Sequence, residues 1–180
     1  MNKRNKILSW LLILLVFSGC TIKQDVAVSN IPPLKEDSES LNDILAIISK
    51  EEEKQRIPKG LLKAIATVES GCSPYTVNAN KKSYRFKSFT EAAEFVNNMV
   101  YMGKTNMSIG CCQIHYKSHK KNFSSINSML SPQQNISYAA TLLKNLHNKY
   151  KSWEKAVKKY HNNKHANAYY RKIQKAIKAD

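Results

Sequence analysis

The stretch IPKGLLKAIATVESGCSPYTVN, residues 57–78, decides how this chain reads. Wound at about 3.6 residues per turn, Pro58 to Ser70 gathers Leu61, Leu62, Ile65, Ala66 and Val68 on one side and leaves Lys59, Lys63, Thr67 and Ser70 on the other. Glu69 falls in the middle of the apolar side, in line with Leu62 and Ala66, so packing carries its carboxylate toward the core or a cleft. Gly71 and Pro74 mark a stop and leave Glu69 in the last turn, where the helix dipole is negative. Burial and dipole both disfavour the anion, which predicts a pKa above the free value of about 4.3. A carboxylic acid that keeps its proton near neutral pH is what a general acid needs to protonate a poor leaving group such as a sugar oxygen. The competing reading is structural: a Glu that reaches back to water, or pairs with a Lys or Arg in an ordinary core.

Toward the start of the chain, Lys3, Arg4 and Lys6 precede an apolar run from Ile7 to Phe17, broken only by Ser9, and then Ser18, Gly19 and Cys20. A basic segment, a short apolar segment and a small-residue cleavage site predict a secretory signal peptide over residues 1–19, too short to span a bilayer permanently. The FSGC ending resembles the bacterial lipobox, with Phe17 where that motif prefers Leu. The resemblance implies that Cys20 becomes the lipidated N-terminus of an exported, membrane-anchored periplasmic lipoprotein. Thr21 in place of the Asp of an inner-membrane retention signal favours the outer membrane. The alternative is an ordinary cleaved signal that leaves Cys20 a plain thiol. Residues 20–40, with Pro32 and Pro33 and no sustained period, read as a flexible tether. Leu41, Ile44, Leu45 and Ile48 then predict an amphipathic lead-in helix over 41–56, ahead of a main domain over 57–180.

The 180 residues carry 29 Lys and Arg against 13 Asp and Glu, a net charge of +16. Acidic residues crowd between Asp25 and Glu53; from Lys54 onward only Glu69, Glu91, Glu94, Glu154 and Asp180 remain. In a cytosolic protein such a balance would point to nucleic acid. Export and the lack of a basic stripe on any single helix argue against nucleic acid as a partner here. An exported protein meets other polyanions, among them lipid headgroups and wall glycan whose stem peptides bear carboxylates, and the charge reads as a targeting field.

Beyond Asn78, a turn-rich segment to Lys87 alternates Tyr84 and Phe86 and predicts a small hairpin or irregular loop. Ser88 followed by Glu91 predicts a capping box opening a helix over Ser88–Lys104, with Ala92, Phe95, Val96, Met99 and Val100 as its apolar stripe. Met107 to Tyr116 fits neither period. Three helices follow. The first has Ser131 as cap, Pro132 at its first position and Gln134 at the box position, and buries Ile136, Ala139, Ala140, Leu143 and Leu146. The second is capped by Ser152 and buries Trp153, Ala156, Val157 and Tyr160; the third runs from His165 to Ala179 through Tyr169, Ile173 and Ile177. The fold class is mostly α with one small irregular or β region.

The ordered segments ESGCSPYTVN, SIGCCQIHY, NISYAATLL and SWEKAVKKYHNN resemble the lytic transglycosylases of the soluble-lytic-transglycosylase type, most of all the compact forms found with secretion machines. The family's run is an ES dipeptide ending a helix, a GLMQI-like turn, an N-I segment opening a helix, and an A-x-x-x-Y-N end, matched here over about Ile57 to Ile177. The resemblance implies a lysozyme-like fold; no cofactor or metal is expected. It implies cleavage of peptidoglycan between N-acetylmuramic acid and N-acetylglucosamine, with the muramyl 6-hydroxyl as acceptor and a 1,6-anhydro product. Carried over by position, the catalytic acid and base is Glu69. On the substrate side stand Ser70 beside it, the glutamine Gln113, the tyrosine Tyr160 and the N-I asparagine Asn135, the last in a structural role. Two departures stand out: Cys111 and Cys112 replace the Leu-Met pair, and His161 intrudes between Tyr160 and Asn162. The scarcity of carboxylates fits a one-carboxylate mechanism, where most glycosidases use two. A basic glycan-binding lipoprotein that does not cut, and a lysozyme-like hydrolase that uses water, are the alternatives.

The cysteines admit two readings. Under the implied fold, the turn after Glu69 lies against the Gly110–Gln113 turn, and a disulfide from Cys72 to Cys111 or Cys112 would clamp the site in an oxidising compartment. The other reading is a metal cluster of Cys111, Cys112, His115 and His119, disfavoured because adjacent cysteines point apart and no second cysteine arm exists.

Overall fold

A computed structural model describes residues 40–161 and 164–179. The signal peptide, Cys20 and the tether up to residue 39 lie outside the described residues. Ser40 caps α1 (Leu41–Gln55) with a complete box: its hydroxyl accepts the Asp43 N–H, and the Asp43 carboxylate accepts the Ser40 N–H, each at 3.2 Å. Ile44 and Ile48 are buried as the stripe predicts, but Leu41 stays 58% exposed because the first turn lies outside the core. Arg56 ends the helix in the left-handed region at φ 53.

The key helix, α2 (Leu61–Ser70), starts three residues later than the apolar spacing predicts. Gly60 at φ 83 cannot belong to a right-handed helix, so Pro58 to Gly60 form a turn instead. Leu61, Leu62, Ala64, Ile65 and Ala66 are buried, and Gly71 at φ 67 closes the C-terminus with its N–H on the carbonyls of Ala66 and Thr67.

The segment after α2 is a four-stranded antiparallel sheet in the order β2-β1-β3-β4, formed by β1 (Thr76–Ala79), β2 (Lys82–Arg85), β3 (Met107–Ile109) and β4 (Ile114–His115). Asn80 and Lys81, both at positive φ (52 and 63), form the two-residue hairpin turn whose twist matches flanking strands. Val77 pairs with Ile109, and Ile109 with Ile114, so one face of the sheet joins the core. Between β2 and β3 lies α3 (Phe89–Tyr101). Its Ser88 cap forms, but Glu91 reaches the Lys87 N–H instead of closing a box on Ser88, and the helix stops three residues before Lys104 at Met102 and left-handed Gly103.

Two short helices follow that the sequence reading lacks: α4 (Tyr116–His119), continued by a 3-10 turn, and α5 (Ile126–Leu130), boxed by Ser125 and Ser128. Then come α6 (Pro132–Tyr150), α7 (Trp153–His161) and α8 (Ala166–Lys178). Pro132 opens α6 as expected, but the Ser131 hydroxyl makes no capping bond, since Ser131 also terminates α5 and its backbone geometry serves that end. Ile177 is 40% exposed, because the last turn of α8 runs past the core that buries Tyr169 and Ile173. α1 packs on α6 and α2, α6 on α7, and α8 on both α2 and α7. α1 is thus part of the domain core. Among the described residues no helix is long and apolar enough to cross a membrane.

Candidate active site

Glu69 sits in the last turn of α2 with its side chain only 17% exposed. α8 crosses α2 and brings Tyr169; the end of α7 brings His161, whose Nδ1 stands 3.9 Å from Glu69 Oε1. The two rings stack face to face, 4.1 Å apart and 3° from parallel. Burial raises the Glu69 carboxyl to about 7, opposed only in part by the Tyr169 phenol. That phenol is near Glu69 but makes no hydrogen bond of good geometry among the described residues, so its hold on the anion is weak and desolvation wins. The result is an acid half-protonated near neutrality, which is the state general-acid chemistry requires.

The facing wall is the Gly110–Gln113 turn joining β3 to β4. Ser70 Oγ donates to the Cys111 carbonyl at 2.8 Å, tying the end of α2 to this turn. Tyr160 Oη donates to the Cys112 carbonyl at 2.8 Å, tying α7 to it as well. Burial, then the nearby Cys112 and Glu69, hold the Tyr160 phenol well above its ordinary range, so it remains a donor. From below, Asn135 closes three bonds at 2.9 Å: Nδ2 to the carbonyls of Ile109 and Met129, and Oδ1 from the Cys112 N–H. Gly110, at φ 81, lies so close over the Asn135 amide that a Cβ would collide with it. Gln113 is itself left-handed at φ 50, with Nε2 donating to the carbonyls of Thr76 and Gly110 and Oε1 buried without a partner among the described residues.

The expected site residues therefore come together but divide in role. Glu69, Gln113 and Tyr160 are partly accessible, whereas Ser70 (2% exposed) and Asn135 (0%) are buried. Ser70 and Asn135, buried in this conformation, hold the two walls in place, Asn135 in the structural role the resemblance implies.

Cys72, Cys111 and Cys112 are buried free thiols. The Cys72 and Cys111 thiols contact one another, and Cys111 also contacts Cys112. The hydrogen bond to Cys111 and then burial push Cys72 far above the ordinary thiol range; Cys111 is raised chiefly by its bond to Cys112. His115 and His119 do not share a helical face, since His115 precedes α4 and bonds Asn106 and Ser118 while His119 bonds Tyr138. Among the described residues no three His, Cys, Asp or Glu side chains converge on a metal position.

Two residues at or behind the site went unread in the sequence. Tyr169 lies on the apolar stripe of α8 and looked like core. Glu52 looked like part of an acidic helix end, yet it is 6% exposed and its carboxylate accepts the N–H groups of Gly60 (2.8 Å), Leu62 (2.7 Å) and Lys63 (3.2 Å). Its one signal was the glycine at the cap position of α2, which has no side chain to do the capping.

The family model described as the transglycosylase SLT domain matches residues 46–180. No curated protein and no solved structure matches the chain. The match begins inside α1 and takes in Glu69, the Gly110–Gln113 turn, Asn135 and Tyr160, so the chain belongs to the SLT transglycosylases, lyases that act on peptidoglycan.

Proposed function

We propose that Glu69 alone carries both proton transfers of a lytic cleavage between N-acetylmuramic acid and N-acetylglucosamine. In the first step the Glu69 proton passes to the glycosidic oxygen as the bond to muramyl C1 breaks and the glucosamine unit leaves as an alcohol. In the second the Glu69 carboxylate takes the proton of the muramyl 6-hydroxyl as that oxygen closes on C1. This gives the 1,6-anhydro sugar, returns Glu69 to its acid form and consumes no water.

The observation that carries this reading is the Glu69 carboxyl at about 7 in a largely buried site. Four other carboxylates among the described residues lie elsewhere. Glu52 caps the opposite end of α2, about 15 Å away along a ten-residue helix. Glu91 accepts the Lys87 N–H, Glu154 pairs with Lys158 in the first turn of α7, and Glu94 is exposed on α3. Export through the residue 1–19 signal, anchoring through Cys20 and work at the envelope, in wall remodelling or local opening for a secretion assembly, complete the proposal. The basic surface suits a polyanionic wall.

Glu69→Gln should abolish release of anhydromuropeptides from purified sacculi. Turnover near wild type would refute the role of Glu69, and products with free reducing ends would make the enzyme a hydrolase.

A further inference from the structure

His161 occupies a place where the family run has asparagine directly after the tyrosine. It is the last residue of α7, and its ring lies flat on Tyr169, at 4.1 Å and 3°. That stack fixes the ring plane and turns its Nδ1 edge to Glu69 Oε1, 3.9 Å away. The charged and titratable groups facing this ring are Glu69 from α2, Tyr169 and Lys172 from α8, and His165 at the N-cap of α8. Burial, then His165 and Lys172, hold His161 below its ordinary 6.5. Near neutral pH the ring is therefore a neutral imidazole beside a carboxyl that is about half protonated. A neutral imidazole offers one N–H and no net charge, so it can steady a carboxylate without locking it into an ion pair.

We propose that His161 is a positioning residue for the Glu69 carboxylate: after the acid has given up its proton, His161 Nδ1–H closes on Oε1 and holds the anion aimed for the second transfer. The proposal rests on Glu69 being the acid and base. Closing requires a movement of about 1 Å to reach hydrogen-bond length. Both side chains are partly exposed, 28% and 17%. A residue that acts between the two chemical steps affects turnover and leaves ground-state binding alone.

The test compares the full-length wild type with His161→Phe, which keeps the stack but has no donor, and His161→Asn, which restores a side-chain N–H. Soluble uncrosslinked glycan strands serve as substrate. His161→Phe should lower kcat roughly tenfold with KM within roughly twofold, and His161→Asn should recover most of that loss. An unchanged kcat, a loss confined to KM, or an Asn variant as poor as Phe would overturn the proposal. Independently of activity, an NMR titration of carboxyl-labelled Glu69 should show its midpoint higher in folded His161→Phe than in wild type, because the anion has lost a donor. Coincident midpoints would overturn the proposal whatever the kinetics. Failure of the Glu69 assignment would show differently, as an active Glu69→Gln enzyme.

Discussion

The Glu52 carboxylate and the Glu69 carboxyl sit at the two ends of one helix, the first on its leading N–H groups and the second buried in its last turn. Glu52 receives three backbone N–H groups at the positive end of α2, where an anion is favoured. Glu69 lies at the negative end, in a site whose burial raises it to about 7. The first anchors the helix on α1; the second is the group the helix presents.

Removing the Glu52 carboxylate should destabilise the domain by way of α2. In Glu52→Ala the N–H groups of Gly60, Leu62 and Lys63 lose their acceptor, and Leu62 is fully buried, so water cannot take its place. The expected cost is about 2–4 kcal/mol by thermal or denaturant unfolding, with a smaller loss in Glu52→Gln, which keeps one acceptor oxygen. Amide exchange should quicken first at residues 60–63. Unchanged stability in Glu52→Ala would mean that solvent or another acceptor replaces the cap.

The raised pKa of Glu69 makes it a destabilising group at alkaline pH. Its folded value, about 7, lies above the ordinary 4.5 of a free carboxyl, so the folded state binds the proton more tightly than the unfolded one. The contribution to stability is full below the unfolded value and is lost as pH rises through about 7, amounting to about 3 kcal/mol for a side chain this little exposed. Glu69→Gln, inactive under the proposal above, should therefore melt higher than wild type at pH 8 and close to it at pH 4.5. In the wild type, activity should decline as pH rises through about 7, where the acid form is titrated away. Equal melting temperatures at pH 8 would mean that the carboxylate is solvated and its pKa ordinary.

Much of this architecture was legible because its signals are local. Ser88 before α3, Pro132 at the start of α6 and Ser152 before α7 all sit next to the elements they start. Glu69 was legible for the same reason, as a charge on a helix's apolar stripe. β3 and β4 were not, because Ile109 and Ile114 become core only by pairing across to β1, and strands of three and two residues are too short to show a period. Short α5 escaped for lack of length. Glu52, Tyr169 and the inward turn of Ser70 and Asn135 depend on what packs against them from distant parts of the chain. A Glu eight residues before Gly60, or an Asn on α6, carries no mark of the backbone groups it will meet.

An oxidising compartment should join Cys72 to Cys111, the contacting pair that bridges α2's end and the Gly110–Gln113 turn. Each thiol gives up a proton and one electron to an envelope dithiol oxidase as the S–S bond forms. Both thiols are buried and held protonated in the folded chain, so attack through a thiolate is slow there and the bond must form before the site closes. Protein made under reducing conditions and folded should resist alkylation at pH 8 until it is denatured. Exported protein, mapped without reduction, should show a Cys72–Cys111 peptide and leave Cys112 the one labelled site of the three. The bond would brace the wall that Ser70 already ties through the Cys111 carbonyl, and its reduction should lower stability by about 2–4 kcal/mol. Free alkylation of all three thiols in exported protein, or a bond to Cys112 in place of Cys111, would refute the pairing.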